Sequence, residues 1–185
     1  MVRIRYQSLR HKAPFGAFFI FKSIYLNMVK YNREKAVEYA RKYALEYNPK
    51  YFHFNGIGGD CTNFISQCLL AGGGKMNYDK YYGWFYINQN HRSPSWTSVK
   101  YLERFLLSNN TPGFVAKVVP LKELEIGDII QLRQNPDEFN HTVIVSKITS
   151  QEIFVCSHSN DALDKPLSKY NYFELKGIKI LGIDF

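Results

Sequence analysis

The sequence predicts an α+β domain whose helices come first and pack on a largely antiparallel sheet. Residues 32–106 contain three stretches in which apolar side chains recur every three or four positions, which is typical of helices. Residues 115–183 instead contain five short β-rich stretches divided by turn residues. Helices and strands that are segregated along the chain favour an α+β class over alternating α/β units.

The three helices have recognisable starts or stops. The first is predicted over Asn32–Tyr47, because Asn32 is a good N-cap and Asn48-Pro49 ends the pattern. The second spans Thr62–Ala71 and stops at three consecutive glycines. The third opens at Ser95-Trp96 and continues to Leu106. A tyrosine-rich insertion at 78–86 separates the second helix from the third and is too irregular to assign.

Five strands are predicted in the second half of the chain. They are Val115–Val119, Asp128–Leu132, Thr142–Ile148, Glu152–Ser157 and Ile178–Ile183. A turn near Thr149-Ser150 would pair the third of these strands with the fourth as an antiparallel hairpin. No repeat or linker interrupts residues 31–185, so we expect one domain there.

The net charge of +8 is concentrated at the start of the chain. Residues 1–30 carry six basic side chains and no acidic one, whereas residues 31–185 carry 18 basic and 16 acidic side chains. A nearly neutral domain without a recognised motif argues against a nucleic-acid partner. With 45% apolar and 16% aromatic residues, intrinsic disorder is also excluded.

Residues 1–30 form a basic and apolar N-terminal extension. Lys22 interrupts the apolar stretch, which is shorter than the roughly 20 residues that a membrane span needs. Three interpretations stay open: a degenerate signal or interfacial anchor, a mobile basic arm, and an upstream extension with Met28 as the true start. Membrane contact is expected only through this segment.

The three cysteines do not suggest a disulfide framework or a metal site. Their number is odd, and no C-x2-C pair or His/Cys cluster has zinc spacing. We therefore expect neither a metal nor a cofactor.

Cys61 is the residue whose position most clearly suggests a catalytic role. It follows Gly58-Gly59-Asp60 and begins the second helix, where the helix dipole favours a thiolate and lowers the thiol pKa. Unpaired N–H groups of the first turn could also bind an oxyanion. Asp60 is the expected N-cap. The alternative is that Cys61 is a small core residue, an interpretation that suits Cys68 well.

A nucleophilic thiol needs a base, and the base needs an orienting group. His141 stands at the mouth of a predicted strand. On the next strand Cys156, His158 and Asn160 would share one face, because side chains alternate along a strand. His158 or Asn160 could then reach the His141 imidazole. The alternative for His141 is an ordinary edge-strand residue.

These segments together resemble a known family. Gly59–Cys68 (GDCTNFISQC), Ser95-Trp96, Leu124–Asp128 (LEIGD), His141–Val145 (HTVIV) and Ser157–Asp161 (SHSND) are similar to the putative amidase domain of bacterial proteins. The resemblance covers residues 31–185 and extends to NlpC-type and CHAP cell-wall peptidases, which implies a papain-like fold.

The resemblance implies Cys61 as nucleophile and His141 as general base. CHAP domains carry a Glu-x-Asn motif on the following strand, whereas NlpC-type enzymes commonly use a second histidine. His158 stands in the position of the glutamate and Asn160 in that of the asparagine. His158 is therefore expected to orient His141, with Asn160 and Asp60 as further orienting or oxyanion-binding groups.

The implied function is a cysteine amidase or peptidase that hydrolyses peptidoglycan or a related peptide substrate. Trp84 and Trp96 would wall the substrate cleft, or else belong to a satellite hydrophobic cluster. Acyl transfer to an amine and a catalytically silent wall- or partner-binding domain remain alternatives. A wall substrate implies a cell-envelope or extracellular location, although the absence of a clear signal peptide leaves the cytoplasm open.

Overall fold

The computed structural model describes residues 28–108 and 113–184. Predictions for residues 1–27 lie outside the described residues. Residues 28–30, which the sequence assigned to the extension, take part in the fold: Val29 forms an antiparallel bridge with Ile183, with N–H···O distances of 2.8 and 2.9 Å.

Four helices are present among the described residues. They are α1 (Arg33–Tyr43), α2 (Cys61–Ala71), α3 (Pro94–Thr97) and α4 (Val99–Ser108). The Asn32 side chain caps α1 by accepting from the Lys35 N–H at 2.9 Å, as predicted. The helix ends four residues earlier than predicted, where the Tyr43 carbonyl accepts a hydrogen bond from the ring of His158 instead of one from the next helical turn.

The single third helix predicted from the sequence is two helices. Ser98 has an extended backbone (φ −117°, ψ 130°) and separates α3 from α4. Its N–H still bonds the Pro94 carbonyl at 2.9 Å, which closes α3 before α4 starts.

A two-stranded hairpin, β1 (Tyr86–Asn88) with β2 (His91–Arg92), lies at the tyrosine-rich insertion. Six further strands are β3 (Gly113–Val119), β4 (Ile129–Arg133), β5 (His141–Ile148), β6 (Ile153–Ser157), β7 (Ala162–Pro166) and β8 (Glu174–Asp184). They form one antiparallel sheet in the order β3-β8-β4-β5-β6-β7. The α+β class and the antiparallel hairpin of β5 with β6 are confirmed, whereas β7 was not predicted.

The sheet has two buried faces with different partners. Ile129, Ile144 and Cys156 lie in the main core with the helices. Ile130, Val143 and Val145 alternate with them and lie in a second cluster, to which no helix α1–α4 contributes a buried residue. This alternation fixes which side of the sheet each β5 side chain faces.

A buried ion pair ties the start of α1 to the sheet. The Asp128 carboxylate accepts from Arg33 Nη1 at 2.6 Å and from the Ile180 and Glu125 N–H groups at 2.9 and 2.8 Å. Asp128 is fully buried and follows Gly127, whose positive φ of 80° turns the chain into β4. The Gly-Asp pair of the LEIGD segment is therefore structural.

Candidate functional site

Cys61 is the first residue of α2, and its side chain is only 7% exposed. The loop before it turns through Gly58 and Gly59, which have φ values of 99° and 98°. Such values suit glycine because other residues rarely adopt them. A Cβ at Gly59 would also lie 3.3 Å from the Ser159 hydroxyl oxygen. These glycines bring the 158–161 turn close to the start of α2.

The Cys61 sulfur is surrounded by hydrogen-bonding groups. The backbones of Thr142 and Thr62 hydrogen-bond to it, and the Thr62 hydroxyl oxygen lies 3.8 Å away. Burial nevertheless raises the pKa of the Cys61 thiol above its ordinary value, although these hydrogen bonds oppose the rise. The pKa lowering expected from the helix terminus is thus outweighed by the cost of removing a thiolate from water, so the resting group is a neutral thiol.

His141 is the first residue of β5 and is 3% exposed. Its ring lies 5.9 Å from the ring of Tyr170, and its Nε2 has no hydrogen-bond partner among the described residues. Burial, assisted by the positive charge of Lys165, lowers the pKa of His141 to about 4. The imidazole is therefore neutral near pH 7, with a buried and unpaired nitrogen.

The Cys61 sulfur contacts the start of β5 through the backbone of the strand and not through the His141 ring. The strand residue that hydrogen-bonds the sulfur is Thr142, which directly follows His141. His141 pairs with Leu132 across the sheet, and that pair continues the face that carries Val143, away from the helices. No hydrogen bond between the thiol and the imidazole is found among the described residues. The structure thus places the sulfur beside the residue that follows His141, whereas the His141 ring faces Tyr170.

The structure pairs His158 with Asp60 rather than with His141. His158 Nδ1 lies 2.7 Å from Asp60 Oδ2, and Nε2 donates to the Tyr43 carbonyl at 2.7 Å. The ring also stacks on Phe64 at 4.1 Å and 22°. Both ring nitrogens are occupied, so the predicted orienting bond from His158 to His141 is not formed.

His158 and Asn160 do not share a strand face as predicted, because β6 ends before it reaches them. β6 stops at Ser157, and Ser159 and Asn160 have φ values of 60° and 93° in the turn that follows. Side-chain alternation holds only within a strand. Asn160 is exposed in that turn.

Asp60 links neighbouring segments of the chain by hydrogen bonds and does not cap α2. Its side chain makes no capping bond to α2. Oδ1 instead accepts from the Phe54 N–H at 2.7 Å and from Asn63 Nδ2 at 2.9 Å, and the Asp60 N–H donates to the Ser159 hydroxyl at 2.6 Å. Sequence reasoning missed Asn63 and Ser159, although the three-residue spacing from Asp60 to Asn63 is a signal that both face one side of a helix start.

Trp84 and Trp96 are core residues and do not wall a cleft. Both are fully buried, with their rings 4.9 Å apart. Trp84 Nε1 donates to the Ser66 hydroxyl at 3.0 Å, and Trp96 Nε1 donates to Asn63 Oδ1 at 2.9 Å. Because their polar groups are satisfied inside α2 and its neighbours, the expected substrate contact is corrected to a packing role.

Within residues 28–108 and 113–184, no group of three His, Cys, Asp or Glu side chains could hold a metal ion. No helix of this part of the chain combines the length and apolar character that a bilayer span requires. All three cysteines are free and buried.

The fold and site define an α+β domain with a buried cysteine at the head of a helix and, at the adjoining strand end, a histidine whose Nε2 lacks a partner within the described ranges. The chain belongs to the family described as "Putative amidase domain", whose profile matches residues 30–181.

The chain is similar to a Bacillus subtilis protein over part of its length. The chain is 42% identical over 120 residues to "Uncharacterized protein YhbB" of Bacillus subtilis (strain 168). This alignment covers 63% of the chain and 37% of the relative, so the chain spans well under half the length of that protein. No solved structure matches the chain significantly.

Proposed function

We propose that the protein hydrolyses an amide bond through Cys61 as nucleophile and His141 as general base. The observation that carries the proposal is the contact between the Cys61 sulfur and the backbone of Thr142, which follows a buried histidine whose Nε2 has no partner among the described residues. A thiol at a helix head beside an available imidazole is an arrangement suited to acyl transfer.

The protonation states favour general-base activation over a resting ion pair. The pKa of Cys61 is raised and that of His141 is lowered to about 4, so the thiol and the imidazole are both neutral near pH 7. The imidazole can then accept the thiol proton during attack. The ring faces away from the helices, so we propose that the backbone at the first residue of β5 changes conformation when the amide binds and brings the His141 ring from Tyr170 to the sulfur.

The reaction proceeds by acyl transfer to water. His141 accepts the Cys61 proton while the sulfur bonds to the carbonyl carbon, and N–H groups at the start of α2 bind the oxyanion. The imidazolium then protonates the leaving amine as the C–N bond breaks, which leaves a thioester. Water, deprotonated by His141, attacks the thioester, and the acid and the free thiol are released.

We further propose a papain-like enzyme, akin to NlpC-type and CHAP peptidases, that acts on peptidoglycan in the cell envelope and uses no cofactor. The order along the chain supports this: a cysteine heads a helix, a histidine starts a strand, and a second histidine follows the next strand. In this chain that second histidine has a different partner. His158 and Asp60 position the start of α2 and do not orient the base.

The test is release of soluble products from purified peptidoglycan by the full chain. Cys61→Ala is expected to abolish release, and Cys68→Ala serves as the matched control because Cys68 lies in the same helix and is fully buried. Undiminished release by Cys61→Ala would refute the cysteine mechanism. Absence of release by the unaltered chain would refute the substrate class, and assays with added amines separate hydrolysis from transfer.

A further inference from the structure

Two neighbouring pockets lie on the tyrosine-rich insertion between α2 and α3. The smaller pocket encloses about 150 Å³ and the larger about 300 Å³. They share four lining residues, which are Lys80, Tyr81, Gly83 and Pro94. We call the two pockets together the 78–83 surface. The reaction proposed for Cys61 uses none of the residues that form it.

Four tyrosine side chains of the 78–83 surface are exposed. They are between 45% and 78% exposed, and they are Tyr78, Tyr81, Tyr82 and Tyr101. Tyrosine is enriched at protein interfaces, because its ring offers a large contact area and its hydroxyl group can form a hydrogen bond. A cluster of exposed rings around two pockets is therefore typical of a surface that a partner covers.

The cations that line the two pockets lie over aromatic rings. The Lys80 ammonium group lies 5.5 Å from the centre of the Tyr81 ring. The Arg104 guanidinium lies 4.8 Å from the centre of the Tyr82 ring, and the Arg92 guanidinium likewise lies 4.2 Å from a ring centre. None of these three cations forms an ion pair with a carboxylate of the described residues. Their charges are therefore held in place by the rings but are not neutralised.

The acidic side chains nearest in sequence are engaged elsewhere. Asp79 Oδ1 accepts from the Tyr81 and Tyr82 N–H groups at 2.9 and 2.7 Å. Glu103 pairs with the Lys176 ammonium group at 2.6 Å. No acidic residue in the described part of the chain lines either pocket. The lining of the 78–83 surface is therefore positively charged, and charge complementarity favours an anionic partner.

Hydrogen bonds hold the 78–83 surface in a defined conformation. Asn77 and Trp84 exchange backbone hydrogen bonds at 2.9 and 2.7 Å. The Gly83 N–H donates to the Asp79 carbonyl at 3.0 Å. The Ser95 hydroxyl donates to the Gly83 carbonyl and so ties the turn to α3. A surface that is formed before binding loses little conformational entropy when a partner covers it.

The apolar floor of the smaller pocket favours a protein over other anions. Phe105 and Pro94 line this pocket, and the buried Phe105 ring stacks on Trp84 at 5.7 Å and 13°. A polyphosphate chain carries charge along its whole length and has no apolar group to place there. A peptide with an aliphatic or aromatic residue between acidic residues can fill the pocket and contact the cations at the same time.

We propose that the 78–83 surface binds an acidic segment of a partner protein. An apolar side chain of that segment enters the smaller pocket, and the carboxylates that flank it contact Lys80 and Arg104. Residues 1–27 of the chain do not match this chemistry, because they carry five basic side chains and no acidic one. The interaction goes beyond the reaction proposed for Cys61 and does not depend on it.

The first test is selection of a phage library of random heptapeptides on the immobilised full chain. The selected peptides are expected to combine acidic residues with at least one aliphatic or aromatic residue. Absence of enrichment, or selected peptides that lack acidic residues, would overturn the proposal.

The second test measures the Kd of a selected peptide by fluorescence anisotropy. Tyr81→Ala and Arg104→Gln are each expected to raise the Kd about fivefold or more. Both side chains are exposed, so these variants are expected to fold. Lys42→Gln is the matched control with an unchanged Kd, because the Lys42 ammonium group also lies over a ring, at 5.1 Å from Tyr43, but lines neither pocket. An unchanged Kd for Arg104→Gln would overturn the site.

Two further measurements separate this site from the Cys61 reaction and from a general polyanion site. Cys61→Ala should bind the selected peptide with an unchanged Kd, and loss of binding would show that the peptide occupies the Cys61 site instead. A peptide with serine in place of its apolar residue should bind about fivefold more weakly or worse. Equal affinity for the serine peptide, together with displacement by inorganic polyphosphate at the same charge concentration, would replace the protein partner with a general polyanion.

Discussion

At the scale of single residues, the Cys61 thiol experiences two opposing influences. Its place at the head of α2 and the backbone groups of Thr62 and Thr142 stabilise a thiolate, whereas burial disfavours one. The outcome is a raised pKa. The sequence predicts the helix terminus but not the burial, because burial depends on how β5 packs against that terminus.

Alkylation by iodoacetamide should report this protonation state. Because the Cys61 pKa is raised, the labelling rate is expected to increase about tenfold per pH unit between pH 5 and 8. Peptide mapping measures the rate at Cys61, with fully buried Cys68 as an internal reference that reacts only on unfolding. A rate independent of pH across this range would indicate a thiolate–imidazolium pair and contradict the general-base scheme.

His141 should make the fold sensitive to acid. Its pKa is about 4 in the folded protein against an ordinary 6.5, so the unfolded chain binds a proton that the folded chain does not bind between these pH values. Stability therefore rises with pH through this window and falls on acidification, by about 3 kcal/mol in total.

Urea unfolding of the unaltered chain and of His141→Gln measures this contribution. The difference in free energy of unfolding between the two proteins should shift by about 3 kcal/mol from pH 7 to pH 4, in the direction that penalises the histidine in acid. Parallel pH curves for the two proteins would show that the imidazole is not held neutral by burial.

At the scale of elements, the Asp60–His158 pair joins three parts of the chain. His158 bonds the last residue of α1, and Asp60 bonds the 54–60 loop and the first turn of α2. Both side chains are buried, which makes their separation costly. The pair therefore fixes the position of the start of α2, which carries Cys61.

A double-mutant cycle with Asp60→Asn and His158→Gln tests this junction. Each single change leaves a buried partner unmatched and is expected to cost about 3–5 kcal/mol of unfolding free energy, whereas the double variant costs much less than their sum. Chemical denaturation gives the coupling energy. Strictly additive losses would show that the two side chains do not stabilise each other.

The same elements show which features a sequence can reveal. The N-cap at Asn32, the cysteine at the head of α2 and the histidine at the head of β5 depend on local patterns and are found as predicted. The end of α1 and the partner of His158 depend on a contact between residues 115 positions apart. The local periodicity of the sequence cannot indicate such a contact.

The strand β7 and the buried Trp84 ring are two further features that the sequence alone does not predict. Ala162–Pro166 contains Asp164 and Lys165 and ends in proline, so its composition does not indicate a strand, yet it pairs with β6 at the sheet edge. Trp84 lies in an irregular polar insertion, and only the tertiary packing shows that its ring is fully buried.

At the scale of the whole molecule, the Arg33–Asp128 pair unites the helical layer with the sheet. Arg33 begins α1 and also donates to the Ile126 and Ile180 carbonyls at 2.9 and 2.5 Å. Asp128 precedes β4 and accepts from the backbone of β8. The pair thus crosses from the first helix to two central strands.

Removing one partner should destabilise the whole fold. Asp128→Ala is expected to cost about 3–5 kcal/mol, because it leaves the largely buried Arg33 guanidinium and two backbone N–H groups without their acceptor. Glu174→Ala, which breaks the half-exposed pair with Arg133, is the matched control and should cost no more than about 1 kcal/mol. Equal unfolding midpoints in urea for the two variants would contradict this role.

The central claim, a covalent acyl-enzyme on Cys61, is tested most directly by acid-quenching the full chain during turnover of peptidoglycan fragments and mapping its peptides by mass spectrometry. The peptide containing Cys61 is expected to gain the mass of the acyl group, which is the acid product less one water, and hydroxylamine is expected to remove it, as for a thioester. Continued turnover with Cys61 unmodified throughout, or with the acyl group on another residue, would contradict it.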